Sequence, residues 1–116
     1  MEKKVSVLGT IYEIKYGTCE EYKELNEMDG FTDTSTHTII VDDMSLAEGQ
    51  IGCKGNLLEY RKEVIRHELI HAFLHESGLA NNTLKFENWA TNEEMVDWFA
   101  LQFPKIYAAF IEAECI

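Results

Sequence analysis

Apolar and polar positions change their period partway along this chain, and the change divides it into a strand-rich half and a helical half. Residues 5–16 alternate: Tyr12, Ile14 and Tyr16 fall on one face and Glu13 and Lys15 on the other, the period of a half-buried strand. Gly9 interrupts that run and reads as a bulge. Thr18 with Glu21 three residues on matches a capping box, which predicts a short helix to about Met28, and Asp29-Gly30 is a turn signal that ends it. The β-branched run Thr38-Ile39-Ile40-Val41 predicts a second strand over His37–Asp42, with His37 structural or at the surface. Residues 43–56 carry glycines and no periodicity, so they read as a loop. Asn56 with Glu59 then opens a helix over 57–77, about 30 Å long, and Gly78 after Ser77 stops it. A connection over 79–90 leads to Thr91, which with Glu94 forms another capping box for a second long helix. Pro104 should kink or restart that helix, and 105–113 looks helical again. Trp89, Trp98, Phe99 and Phe103 read as core anchors.

These elements predict one α+β domain spanning residues 1–116, a small two- or three-stranded sheet packed on two long helices. A net charge of −11 sharpens the picture, because it is spread evenly: 11 acids and 5 bases in residues 1–58, 10 acids and 5 bases in residues 59–116. Phosphate recognition needs clustered Lys and Arg, so nucleic acid is not an expected partner. Cys19, Cys53 and Cys115 are far apart and odd in number, which suits free thiols in a reducing compartment. No signal peptide or membrane span is expected, and a cytoplasmic location is.

The chemistry concentrates in the first long helix. His67-Glu68-Leu69-Ile70-His71 spells H-E-x-x-H, and three of the four histidines (His67, His71, His75) lie on this segment. Four residues apart on a helix, His67 and His71 share one face and their imidazoles can converge on one ion. Glu68 flanks the pair, roughly 60° around the helix from His71. It stands where a general base would take the proton of a zinc-bound water. His75 is one turn too far for the same ion and reads as a cation at a helix C-terminus. Cys53, in the loop before the helix, has nothing to fix it as a ligand. A catalytic zinc wants three protein ligands and one open position. No histidine follows His75, so the third ligand should be a carboxylate of Asn92-Glu93-Glu94-Met95-Val96-Asp97. Glu93 and Glu94 compete; Glu93 is favoured if Glu94 is engaged in the box with Thr91. Asp97, four residues beyond Glu93, is placed to orient a zinc-bound imidazole through its outer nitrogen.

His67-Glu68-x-x-His71 followed by Asn92-Glu93-x-x-x-Asp97 resembles the gluzincin pattern. The helix Glu93-x-x-Val96-Asp97-x-Phe99-Ala100 is similar to that of ImmA/IrrE-type metallopeptidases. The motif-level likeness covers roughly residues 56–104, and the size and acidity resemble minimal metallopeptidase-like proteins of phages and bacterial mobile elements. It implies a reduced zincin domain, Zn2+ as cofactor, and hydrolysis of a peptide bond in another intracellular protein of a bacterial or phage-infected cell, with a repressor or immunity protein as the substrate. It also implies that a substrate peptide lies along an edge strand, with His37–Asp42 as that strand or its neighbour. The downstream His or Tyr that stabilises the oxyanion in full-size gluzincins has no matching position here. The rival readings therefore keep the zinc without turnover, as a peptide-binding or regulatory module, or as a phage structural protein whose zinc staples two helices.

Overall fold

Among the described residues, four strands form one mixed sheet: β1 (Lys3–Val7), β2 (Thr10–Gly17), β3 (Gly30–Asp33) and β4 (Thr38–Asp42), in the order β1-β2-β4-β3. The structure is a computed structural model and describes residues 2–47, 49–50, 52–82 and 92–116. β1 and β2 are antiparallel, β2 and β4 parallel, and β4 and β3 antiparallel, so β1 and β3 are the two edges. Two long helices, α1 (Leu57–Glu76) and α3 (Glu93–Glu112), follow, with the single turn α2 (Leu79–Asn82) after α1.

This α+β architecture agrees with the sequence reading in kind and corrects it in count, since the sheet has four strands among the described residues. Residues 5–16 are not one bulged strand. Leu8 (φ 50°) and Gly9 (φ 91°) form a two-residue turn that joins Val7 to its partner Thr10. Positive φ at both turn positions gives the twist a tight hairpin needs, and Leu8 conceals the usual Asn-Gly signal. The strand β3 starts at Gly30, where only a turn was expected. Two conditions place it there. Gly30 has no side chain to collide with Val64 Cγ1, which an added Cβ would meet at 2.9 Å, and β3 pairs with the strongly apolar β4. The capping interactions of Thr18 and Glu21 form, at 3.2 and 3.3 Å, but the chain makes only a 3-10 turn over Lys23–Asn26. His37 lies outside the strand that was to include it, exposed and at φ 56° in the turn before β4.

Tyr12, Ile14, Ile39 and Val41 are buried and form the core with Val7, Met44 and the α1 residues Val64 and Ala72. A second tie joins the end of α1 to the hairpin. Tyr12 Oη and Thr10 Oγ1 donate to Glu76 at 2.7 and 2.9 Å. These bonds, the Tyr12 bond foremost, hold the Glu76 carboxyl below its ordinary range against the opposing effect of burial. A carboxyl depressed in the folded state stabilises above its unfolded pKa, and that stability fades as pH falls through the folded value. Glu76→Gln should therefore show a shallower loss of melting temperature than the parent between about pH 6 and pH 3. Equal acid slopes would contradict this role.

The helix α3 runs unbroken through Pro104, where a kink or restart was expected. Proline removes the N–H that would bond the carbonyl four residues earlier, that of Ala100. Arg66 of α1 supplies the substitute: its Nε donates to Ala100 O at 2.6 Å. One guanidinium thus satisfies the freed carbonyl and fastens α1 to α3. Arg66→Ala should cost about 1–3 kcal/mol in urea unfolding, with part of the loss recovered in Arg66→Ala/Pro104→Ala, where the N–H returns. No recovery would show that the arginine acts otherwise.

Val96 and Ala100 are the buried residues of α3. The expected anchors Trp98, Phe99 and Phe103 are instead 54, 41 and 47% exposed, because the face of α3 that meets α1 is lined by the small residues. Phe73 of α1 is likewise exposed. Trp89 and Thr91 lie outside the described residues. Among the described residues, no helix is long and apolar enough to cross a membrane.

Candidate metal centre

Asn56 caps α1 by accepting from Glu59 N at 3.1 Å, and Gly78 (φ 87°) closes its far end by donating to His75 O at 3.0 Å, both as the sequence indicates. The capped helix holds its central turn against β3 and β4 and turns His67 and His71 toward α3. Asn92 caps α3, its side chain accepting from Met95 N at 2.8 Å. Glu93 is therefore the first helical residue, and the three-residue box interval from the cap falls on Met95, not on Glu94. The premise that engaged Glu94 with Thr91 has no support among the described residues, but the geometry still separates the two acids. Glu93 faces the histidines, and Glu94 is exposed and, among the described residues, outside the His67–His71–Glu93 group.

Three donor atoms from two helices meet there. His67 Nε2 lies 3.1 Å from His71 Nε2, and Glu93 Oε1 lies 3.2 and 2.9 Å from these two nitrogens. Zinc held tetrahedrally at about 2.0–2.1 Å separates its ligand atoms by about 3.3–3.4 Å, so the triangle needs to open by only a few tenths of an ångström. Asp97 Oδ1 is 3.0 Å from His67 Nδ1. A neutral His67 that gives its one proton to Asp97 presents a bare lone pair at Nε2, facing the carboxylate oxygen of Glu93. Two acceptors at that separation repel, and a cation between them removes the repulsion. Two imidazoles and a carboxylate form a donor set that suits zinc.

The histidine side chains are about one-fifth exposed and that of Glu93 is 73% exposed, so the triangle is walled by α1 and open toward solvent. Its open side is a cavity of about 550 Å³ whose walls include His67, Glu68, His71, Glu93 and the β3 residues Gly30, Phe31 and Thr32. His75, in the last turn of α1, also reaches that wall but lies outside the ligand triangle. Cys53 is a free, half-buried thiol whose Sγ lies 3.4 Å from Lys54 O.

Glu68 is the buried charged residue of the described chain, 6% exposed. Burial pushes its carboxyl above the usual range, opposed by the hydrogen bond from Thr32 Oγ1 and by the two histidines. Thr32 donates to Oε1 at 2.8 Å, while Oε2 stands 3.9 Å from His67 Nε2. Sequence reasoning missed Thr32, because β3 carries no signal beyond a turn dipeptide and four residues of mixed polarity. Comparison with family models, curated proteins and solved structures returns no match, so the gluzincin and ImmA-type likeness stands on the motif residues alone.

Proposed function

We propose that this chain is a zinc-dependent peptidase of reduced zincin type, with His67, His71 and Glu93 as metal ligands and Glu68 as general base. One observation carries the reading: a carboxylate kept from water beside a triangle of two imidazoles and a second carboxylate, at the wall of an open cavity. Zinc, when bound, acidifies water and polarises a carbonyl. Glu68 accepts a proton from the attacking water at Oε2 and returns it to the leaving amine. A raised carboxyl pKa suits both halves of that transfer. Asp97 holds His67 in the tautomer whose Nε2 is free to ligate.

The substrate side follows from the sheet. β4 is interior, and its neighbour β3 is the edge beside the cavity, so an extended peptide would add to β3 and run past Glu68. The substrate is then a polypeptide, with a bacterial repressor or immunity protein as the class that the ImmA-type likeness suggests. A second reading, zinc as a staple, draws on the slight burial between α1 and α3, where Val96 and Ala100 are the buried residues of α3.

Incubating zinc-loaded protein with a bacterial lysate and sequencing newly formed protein N-termini separates the two. Cleavage sites that vanish with Glu68→Gln and with chelator support the peptidase. An N-terminal profile indifferent to both rules out the peptidase and leaves zinc without turnover, as a staple or in a peptide-binding module.

A further inference from the structure

The general base has its own positioning residue on the substrate side of the cleft. Thr32 stands at the middle of the edge strand β3, and its hydroxyl lies 2.8 Å from Glu68 Oε1 and 3.2 Å from the carbonyl oxygen of the same residue. A hydroxyl has a single hydrogen, and the shorter contact to the charged acceptor is the better bond. Thr32 is the one side-chain hydrogen-bond donor shown for Glu68 among the described residues. Gly30, two residues earlier on the same face of β3, allows the close approach: a Cβ there would lie 3.4 Å from Glu68 Cγ and 2.9 Å from Val64 Cγ1. Strand and helix thus touch backbone to side chain at the base itself.

We infer that Thr32 fixes the rotamer of Glu68 by holding Oε1, so that Oε2 is the oxygen presented to the metal centre. The inference rests on the peptidase reading and deepens it. A carboxylate on a flexible stem has several rotamers, and holding one oxygen on a paired strand selects one of them. The bond also ties the base to the edge on which a substrate strand would lie. A peptide that pairs with β3 is thereby placed in register with Oε2. The same hydroxyl satisfies a carboxylate that is otherwise buried, so its loss both frees the rotamer and leaves an unmet charge.

The test uses cobalt-loaded protein, whose visible bands report ligands at the centre, and acetohydroxamic acid as the probe. On binding, the acid would coordinate as the anion and pass its proton to Glu68, so affinity would read the placement of the base without any substrate. Thr32→Ser, which keeps the hydroxyl, should bind within about threefold of the parent. Thr32→Val should bind at least about tenfold more weakly, a difference of about 1.4 kcal/mol. In a Glu68→Gln background the Thr32→Val change should cost almost nothing further, because positioning matters only for a proton-accepting group. Equal binding by Thr32→Val and the parent overturns the inference. So does an undiminished penalty in the Glu68→Gln background, or a Thr32→Ser variant as weak as Thr32→Val. Should the parent take up no cobalt, the metal reading itself fails, and this one with it; normal cobalt uptake with an unaffected Thr32→Val leaves the metal reading standing and removes only the positioning role.

Discussion

Glu68→Gln is expected to stop hydrolysis while leaving the zinc in place. The amide keeps the shape of the side chain and can still accept from Thr32 Oγ1, which lies 2.8 Å from Oε1 in the parent. It cannot take a proton. Loss of a general base typically costs about 10²–10⁴ in rate, and in the proposed mechanism the same group also returns the proton to the leaving amine, so the upper part of that range is expected. The zinc should be unaffected, because Glu68 stands outside the ligand triangle, with Oε2 3.9 Å from the nearest ligand nitrogen. The metal-free variant should also melt no lower than the parent at neutral pH. Burial raises the parent carboxyl's pKa in the folded state. A carboxyl raised on folding contributes most at low pH, and that contribution is lost as pH rises from its unfolded to its folded value. Gln removes the cost of keeping a charge in a buried place, a usual exchange of stability for activity. A variant that cleaves at the parental rate, or that loses its zinc, would contradict the assigned role.

Asp97→Ala is expected to weaken zinc binding by roughly 10–100-fold without abolishing it. The carboxylate touches His67 Nδ1 at 3.0 Å, on the side of the ring away from the ligand triangle. In the proposed centre it would determine which nitrogen carries the proton and which way the ring faces, and it would strengthen the ligand nitrogen electrostatically. Without it, either tautomer is open to His67, and the ring must be ordered by the metal alone. Asp97→Asn separates the contributions, since its amide oxygen still accepts from Nδ1–H without the charge and should lose less. Competition with a fluorescent chelator at fixed pH measures both. An Asp97→Ala affinity equal to the parent's would show that the contact does nothing for the metal.

Residues whose placement is local were legible in the sequence. His67, Glu68 and His71 are fixed by one helix, and the i, i+4 interval of an α-helix determines their geometry whatever surrounds them. Asn56 and Gly78 bound that helix by local hydrogen bonds, and both were readable for the same reason. The cap that opens α3 is Asn92, a residue type as suited to that position as the threonine beside it in the sequence. The four-residue interval from Glu93 to Asp97 is the same with either cap, so the partner carboxylates still fall on one face. Long-range features were not readable. The strand β3 exists because Gly30 admits Val64 and because β4 offers an edge, and neither condition shows in residues 30–33 themselves. Arg66 looks like an ordinary surface cation until Pro104 frees the Ala100 carbonyl across the helix pair. Trp98, Phe99 and Phe103 have core-like side chains, but α3 turns its small residues to α1 and leaves these outside.

Metal content of the purified protein, measured by elemental analysis together with His71→Ala, Glu93→Ala and Glu94→Ala, tests the centre most directly. The parent and Glu94→Ala should each carry one equivalent of zinc per chain, and His71→Ala and Glu93→Ala should carry little or none. A parent that purifies without zinc and takes none up from solution, or a Glu93→Ala variant that keeps its full equivalent, contradicts a metal held between the two helices.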